Sequence, residues 1–104
     1  MTSNIAAVFG ALGDETRLAI IAKLHDGTEQ SITNLTQGLS LTRQGVSRHL
    51  HVLEDAKLVR RNRIGRETRY QINVKALNRA RQYLERASVQ WDDATARLAN
   101  HLED

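Results

Sequence analysis

The sequence has no cysteine and no proline, and only 4% of its 104 residues are aromatic. Without cysteine there are no disulfides, no thiolate metal sites, no thiol redox sensing and no cysteine nucleophile. Average usage would supply about five prolines in this length, and their absence leaves nothing that forces a helix to kink. So few aromatics provide no stacking platform of the single-strand-binding kind. Long apolar runs are missing too. The longest nearly unbroken one, Ile5 to Leu12, is too short to cross a bilayer. The start, Met1-Thr2-Ser3-Asn4, lacks the basic residues that open a secretory signal. Walker A, HExxH, GxSxG and GxGxxG patterns do not occur, and the neighbouring Asp92 and Asp93 point in different directions rather than forming a dyad. The expectation is one soluble cytoplasmic domain over residues 1–104, not an enzyme, with no membrane segment, cofactor or metal.

What is present is charge, unevenly placed. The formal net charge is +3 and the isoelectric point is near 9.8. From Thr42 to Lys75 nine basic residues face three acidic ones, a local +6, while the rest holds six basic and nine acidic residues, or −3. A concentrated positive field on a slightly acidic body is the footprint of polyanion binding.

Apolar spacing gives the elements. Ile5, Val8, Phe9 and Leu12 recur at i, i+3, i+4 and i+7, a short amphipathic helix with Ser3 as cap and Gly13 as break. Asp14 caps a second helix whose face is Leu18, Ile21, Ala22 and His25, widened by Ile20 and Leu24 and stopped at Gly27. Ser31 caps a third, bearing Ile32, Leu35 and Leu39 and ending near Gly38. Thr42 caps a fourth, with Val46, Leu50 and Leu53 inside and Arg43, Gln44, Ser47, Arg48 and His51 outside. A short helix, a tight turn and a helix with a polar outer face is the helix-turn-helix pattern.

After Leu58 the period becomes two. Val59, Arg61 and Arg63 share one face of a first strand; Thr68, Tyr70 and Ile72 share one face of a second, across an Ile64-Gly65-Arg66 turn. This hairpin reads as a wing with arginines at its edge and tip. From Asn73, a candidate cap, nothing interrupts a last helix over 73–104. Along it Leu77, Leu84, Trp91 and Leu98 repeat every seven residues, with Ala80, Ala87, Ala94 and His101 between them. Roughly 30 helical residues span about 45 Å, more than so small a body covers, and a sustained 3.5-residue stripe wants a partner helix. A second copy of the chain supplies one; the alternative is a stripe packed within the chain, which the first helix could cover only in part. The fold class is therefore mainly α with a small β-hairpin.

A helix fits the major groove of B-DNA, where its side chains reach base edges. Arg43 and Arg48 suit guanine, Gln44 suits adenine, and Ser47 is short enough for close approach. The N-terminal part of such a helix faces the bases, which favours Arg43, Gln44 and Ser47 as readers. Thr42 suits a phosphate, and Arg48 and His51 fall between base and backbone. Arg61, Arg63, Arg66 and Arg69 suit phosphates or the minor groove. Gly45, inside the same helix, costs about 1 kcal/mol of propensity. Two explanations stand: close approach to DNA or the preceding helix, or simply an imperfect helix.

Three segments carry a family resemblance. Ala11-Leu12-Gly13-Asp14-Glu15-Thr16-Arg17-Leu18, followed by Ile20-Ile21 and Leu24, resembles the opening of ArsR-type (ArsR/SmtB) winged helix-turn-helix regulators. Ser47-Arg48-His49-Leu50-His51-Val52-Leu53-Glu54-Asp55-Ala56 with Leu58-Val59 resembles their recognition helix and wing entry, and Gly65-Arg66 with Tyr70 their hairpin. The resemblance, over roughly residues 5 to 72, implies a homodimeric repressor of double-stranded DNA, dimerising through its first and last helices. That places Ile5, Val8, Phe9, Leu77, Leu84, Trp91 and Leu98 at the dimer interface. Lys57 stands where the family usually has glycine, and a left-handed lysine costs about 1–2 kcal/mol. Glu15 replaces a frequent proline, harmlessly at a helix N-terminus. The cysteine motif of the arsenic and cadmium sensors is replaced by Ser31-Ile32-Thr33-Asn34-Leu35. Family zinc sensors use Asp, His and Glu from paired last helices. Here Asp92, Asp93 and His101 with Glu103 or Asp104 lie there, but no second His accompanies Asp92 at ligand spacing. His49 and His25 read as packing residues. Two rival readings are an effector-responsive sensor, for zinc or an organic ligand at the dimer interface, and a small basic protein- or RNA-interaction module.

Overall fold

Along the chain the elements are α1 (Ile5–Leu12), α2 (Glu15–Lys23), β1 (Gln30–Ser31), α3 (Ile32–Thr36), α4 (Arg43–Asp55), β2 (Val59–Ile64), β3 (Glu67–Ile72) and α5 (Val74–Glu103). The computed structural model describes residues 5–24 and 27–103. Ser3, His25 and Asp104, named above as cap, packing residue and candidate ligand, lie outside the described residues, as does the side chain of Glu103.

Three helices start where a short polar side chain can hold a free amide. Asp14 accepts from the Arg17 amide at 3.0 Å, Ser31 from Asn34 at 3.1 Å and Thr42 from Gly45 at 3.1 Å. The far end of α3 is closed from outside. Lys23 Nζ donates to the carbonyls of Leu35, at 3.2 Å, and Gln37, and Gly38 turns the chain at φ +81°. The core beneath is built from Ala11 of α1, Ile20 and Leu24, Leu35, the α4 stripe Val46, Leu50 and Leu53, then Leu58, Val59, Tyr70, Ile72, Ala76 and Ala80.

Two expectations about faces are corrected here. α2 buries Ile20 and Leu24, while Leu18 is 51% exposed and Ala22 is exposed. Ile21 packs on the core beside Ile20 and Leu24, so the part of the expected face that fails is Leu18 and Ala22. Val8, expected at the dimer face, is 2% exposed and belongs to the core, which leaves it little surface to offer a partner.

The hairpin pairs Val59 with Ile72, Arg61 with Tyr70, Arg63 with Thr68 and Ile64 with Glu67. Ile64 is thus the last strand residue, and the turn is Gly65-Arg66 alone, with Gly65 at φ +64°. A third strand went unread: β1 pairs antiparallel with β3, Gln30 opposite Tyr70 and Ser31 opposite Arg69. The sheet order is β1-β3-β2. Two residues carry no alternation to read.

Between α4 and the wing, Lys57 adopts φ +66°. The Leu58 amide reaches back to the Leu53 carbonyl at 2.9 Å and the Lys57 amide to Glu54 at 2.9 Å, with Leu53 and Leu58 both buried. This is a Schellman ending on a lysine. Asn73 fastens it. The Asn73 amide donates to the Leu58 carbonyl and its Nδ2 to the Lys57 carbonyl, each at 2.8 Å. Its own carbonyl accepts from the Leu77 amide at 3.2 Å. Asn73 therefore holds the position of a cap, but its side chain is spent backwards on the turn.

Candidate nucleic-acid interface

α4 divides cleanly. Val46, Leu50 and Leu53 are fully buried, and Arg43, Gln44, Ser47, Arg48 and His51 are all exposed. Within the described residues Arg43, Gln44, Ser47 and Arg48 spend no side-chain hydrogen bond on the protein, so their donors are available to a ligand. His51 Nε2 lies 3.5 Å from Asp55 Oδ2 one turn on, a solvated pair of little energetic weight. A Cβ on Gly45 would meet Thr42 Oγ1 at 3.5 Å and Leu41 Cβ at 3.7 Å, ordinary van der Waals distances. Packing against neighbouring residues does not demand glycine there.

The wing arginines, expected as equals, divide in two. Arg61 Nε sits 3.4 Å from Glu54 Oε2 of α4, and Arg61 lies across the ladder from Tyr70, whose hydroxyl pKa is pushed up chiefly by burial. Arg69 Nε sits 2.7 Å from Glu67 Oε1. Both guanidiniums already face a carboxylate. Arg66 at the tip has no carboxylate partner among the described residues, and Arg63 donates only to the Gly65 carbonyl at 3.2 Å. Arg60, which sequence reasoning passed over, is exposed on the opposite face of β2, with only a 3.5 Å bond to Asn73. Charge counting cannot tell a free arginine from a bridged one.

Between α3, the start of α4 and the wing tip runs a groove of about 760 Å³, lined among others by Thr33, Asn34, Arg43, Ile64, Arg66 and Thr68. Arg43 thus opens toward the wing as well as outward. Its hydroxyls, amide and two guanidiniums suit a phosphodiester strand, and the Glu67 carboxylate that also lines it is paired with Arg69.

The helix-turn-helix family model, described as a helix-turn-helix domain, matches residues 12–62. An uncharacterized HTH-type transcriptional regulator, YuzN, from Bacillus subtilis is 43% identical over 72 residues, covering 64% of this chain and 78% of that protein. An ArsR-like transcriptional regulator from Rhodococcus sp. RHA1 superposes with a TM-score of 0.76 at 38% identity, covering 90% of this chain and 88% of that one. The chain belongs to the ArsR-type transcriptional regulators. It is a DNA-binding regulator with a winged helix-turn-helix fold, mainly helical with a small antiparallel sheet. The homodimeric winged helix-turn-helix domain of Mb0332 from Mycobacterium bovis shares that fold, with a TM-score of 0.66 at 24% identity over 81% of this chain and 78% of that one.

The thiolate chemistry of the arsenic- and cadmium-sensing ArsR-type regulators has no ligands in this chain, which contains no cysteine. The third helix offers Ser31, Thr33 and Asn34 in place of thiolates. Among the described residues no three His, Asp or Glu side chains gather as a metal cluster. His101 is exposed on α5. His49 is a hydrogen-bonded residue at a helix junction, 3.3 Å from Arg17 Nη1. Nor is any helix of this ArsR-type regulator, within the described residues, long and apolar enough to cross a membrane.

The last helix leaves its stripe open. Ala76 and Ala80 are buried and Leu77 packs on the core, yet Leu84 is 56%, Trp91 73% and Leu98 59% exposed. Beside the stripe, Phe9, Leu12, Leu77, Ala80 and Leu84 line an apolar groove of about 410 Å³. Phe9 also meets Tyr83 of α5, with ring centroids 5.7 Å apart.

Proposed function

We propose that this regulator works in the cytoplasm as a homodimeric repressor that occupies a palindromic operator. One observation carries the reading: the α5 stripe stays open for its whole length beyond Ala80, in a helix that ordinary packing would leave polar. A second copy closes it, with Ile5, Phe9, Leu77, Leu84, Trp91 and Leu98 in the seam. The sign of charge along α5 supports an antiparallel pairing. Lys75, Arg79, Arg81 and Arg86 against Glu85 dominate its first half; Asp92, Asp93 and Glu103 against Arg97 dominate its second. Opposed helices put unlike halves together.

A twofold dimer presents two α4 helices to successive turns of one duplex, about 34 Å apart. Gln44 and Ser47 read base edges, with Arg48 and His51 at the rim of that patch. Arg43 shares a groove with Arg66, which moves it from base reader to phosphate contact beside Thr42. Arg63 and Arg66 hold the flanking backbone, and Arg61 and Arg69 contribute less because Glu54 and Glu67 neutralise them. Repression follows from occupancy, since bound promoter DNA excludes polymerase. The test compares Gln44→Ala with Arg66→Ala on duplexes enriched from a random library by the wild-type chain. Gln44→Ala shifts the preferred sequence, whereas Arg66→Ala weakens every duplex alike and lowers the salt slope by about 1. Equal losses on all sequences for Gln44→Ala would overturn the base-reading assignment.

A further inference from the structure

Arg17 of α2 reaches two other helices at once, α1 and α4. Its Nε donates to the Ala11 carbonyl at 2.6 Å and its Nη2 to the Gly10 carbonyl at 3.5 Å, both in the last turn of α1. Its Nη1 lies 3.3 Å from His49 Nδ1, in the middle of α4. Asp14, between α1 and α2, accepts from the Arg17 amide at 3.0 Å and stands 3.8 Å from the same His49 nitrogen. The Ala11 carbonyl at the end of α1 has no helical partner of its own, and the planar guanidinium satisfies it, shares the Gly10 carbonyl with the Gly13 amide at 3.2 Å, and keeps one edge for α4. A guanidinium has no acceptor, so in this hydrogen bond Arg17 donates and His49 Nδ1 accepts.

The same turn of α1 has a second side. Phe9 and Leu12 bracket Gly10 and Ala11 in sequence and line the apolar groove against α5. One turn of helix thus offers hydrocarbon to the proposed dimer face and carbonyls to Arg17. On α4, His49 lies two residues from Ser47 and one from Arg48. We propose that Arg17 and His49 are positioning residues: a guanidinium–imidazole joint that sets the angle of α4 against α1 and transmits the state of the dimer face to the DNA face. The inference rests on the dimer and DNA reading above. It goes further by naming the pair of side chains through which the two faces communicate. A lysine at 17 has no planar fork with which to span both helices.

His49→Asn keeps an acceptor near the position of Nδ1, and His49→Leu fills similar space without one. On a duplex enriched by the wild-type chain, His49→Leu and Arg17→Lys each lower affinity about tenfold, the scale of a hydrogen bond to a charged group. Their affinity for random duplex, and their dimer mass, stay at wild-type values. His49→Asn stays within about twofold of wild type. Unchanged affinity in His49→Leu, or a loss in His49→Asn equal to that in His49→Leu, overturns the joint. Should the wild-type chain enrich no duplex, the DNA reading falls and amide exchange decides the joint alone. Faster exchange at residues 10–12 and 46–50 together in His49→Leu, but not in His49→Asn, upholds it; unaltered exchange at both segments overturns it.

Discussion

α4 and α5 are both amphipathic, and they are finished differently. The chain covers every apolar residue of the α4 stripe and, among the described residues, leaves the side chains of Arg43, Gln44, Ser47 and Arg48 on its polar face without protein partners. On α5 it covers only Ala76, Leu77 and Ala80 and leaves the hydrocarbon of Leu84, Trp91 and Leu98 in water. What a helix leaves unsatisfied tells what it meets. Unspent donors suit a polyanion with hydrogen-bonding edges. An unfinished heptad suits another helix.

The sharpest way to break that contrast is to cut each stripe once. Leu50→Ala, in the closed stripe, costs about 2–5 kcal/mol of unfolding free energy at every protein concentration, by transfer and cavity terms together. Chemical denaturation at two concentrations measures it. Trp91→Ala, in the open stripe, weakens self-association by about 2 kcal/mol or more, as truncation of a central interface tryptophan does. Sedimentation equilibrium reads the dissociation constant, while the melt of dilute protein stays near wild type. A Trp91 variant that loses stability to the same extent at all concentrations would place that tryptophan in the fold of one chain and erase the contrast.

The junction between the two helices gives smaller effects. Lys57→Gly relieves the left-handed strain at φ +66° and raises stability by about 1 kcal/mol, read from the denaturation midpoint. Asp14→Asn probes the joint between α1, α2 and α4. The backbone amide of Arg17 and the nearby cations hold the Asp14 carboxyl below its ordinary 3.8. A lowered folded-state pKa means that its contribution is present above 3.8 and is lost as pH falls through the lowered value. Asparagine keeps the cap but removes the proton. The variant's acid-unfolding curve is therefore flatter below pH 3.8, and identical curves would assign the slope to other carboxylates.

Legibility in the sequence followed the range of the interaction. Thr42 and the Val46–Leu53 stripe could be read because a cap and a 3.6-residue period are local facts, and so could the hairpin, whose period and glycine lie within fourteen residues of each other. The anomaly at Lys57 was visible only through the resemblance, and the geometry bears it out. β1 was not legible because its two residues are a strand only by virtue of β3. The face of α2 was misjudged because several apolar rows compete in nine residues. At the candidate interface, the outer residues of α4 could be named from sequence. The neutralisation of Arg61 by Glu54 could not, since it joins two elements through space.

Asn73 has a mechanical consequence. Its bonds to the carbonyls of Lys57 and Leu58 clamp the foot of α5 to the end of α4, and the rod above that foot is 30 residues long. A tilt of about 5° at the clamp swings the far tip by roughly 4 Å over a 45 Å arm. In the antiparallel dimer proposed above, the far tip of each arm would lie against the foot of its partner's, so that contact would set the tilt. The long helix is a lever with its fulcrum beside α4, so that a contact far along it acts on the orientation of α4.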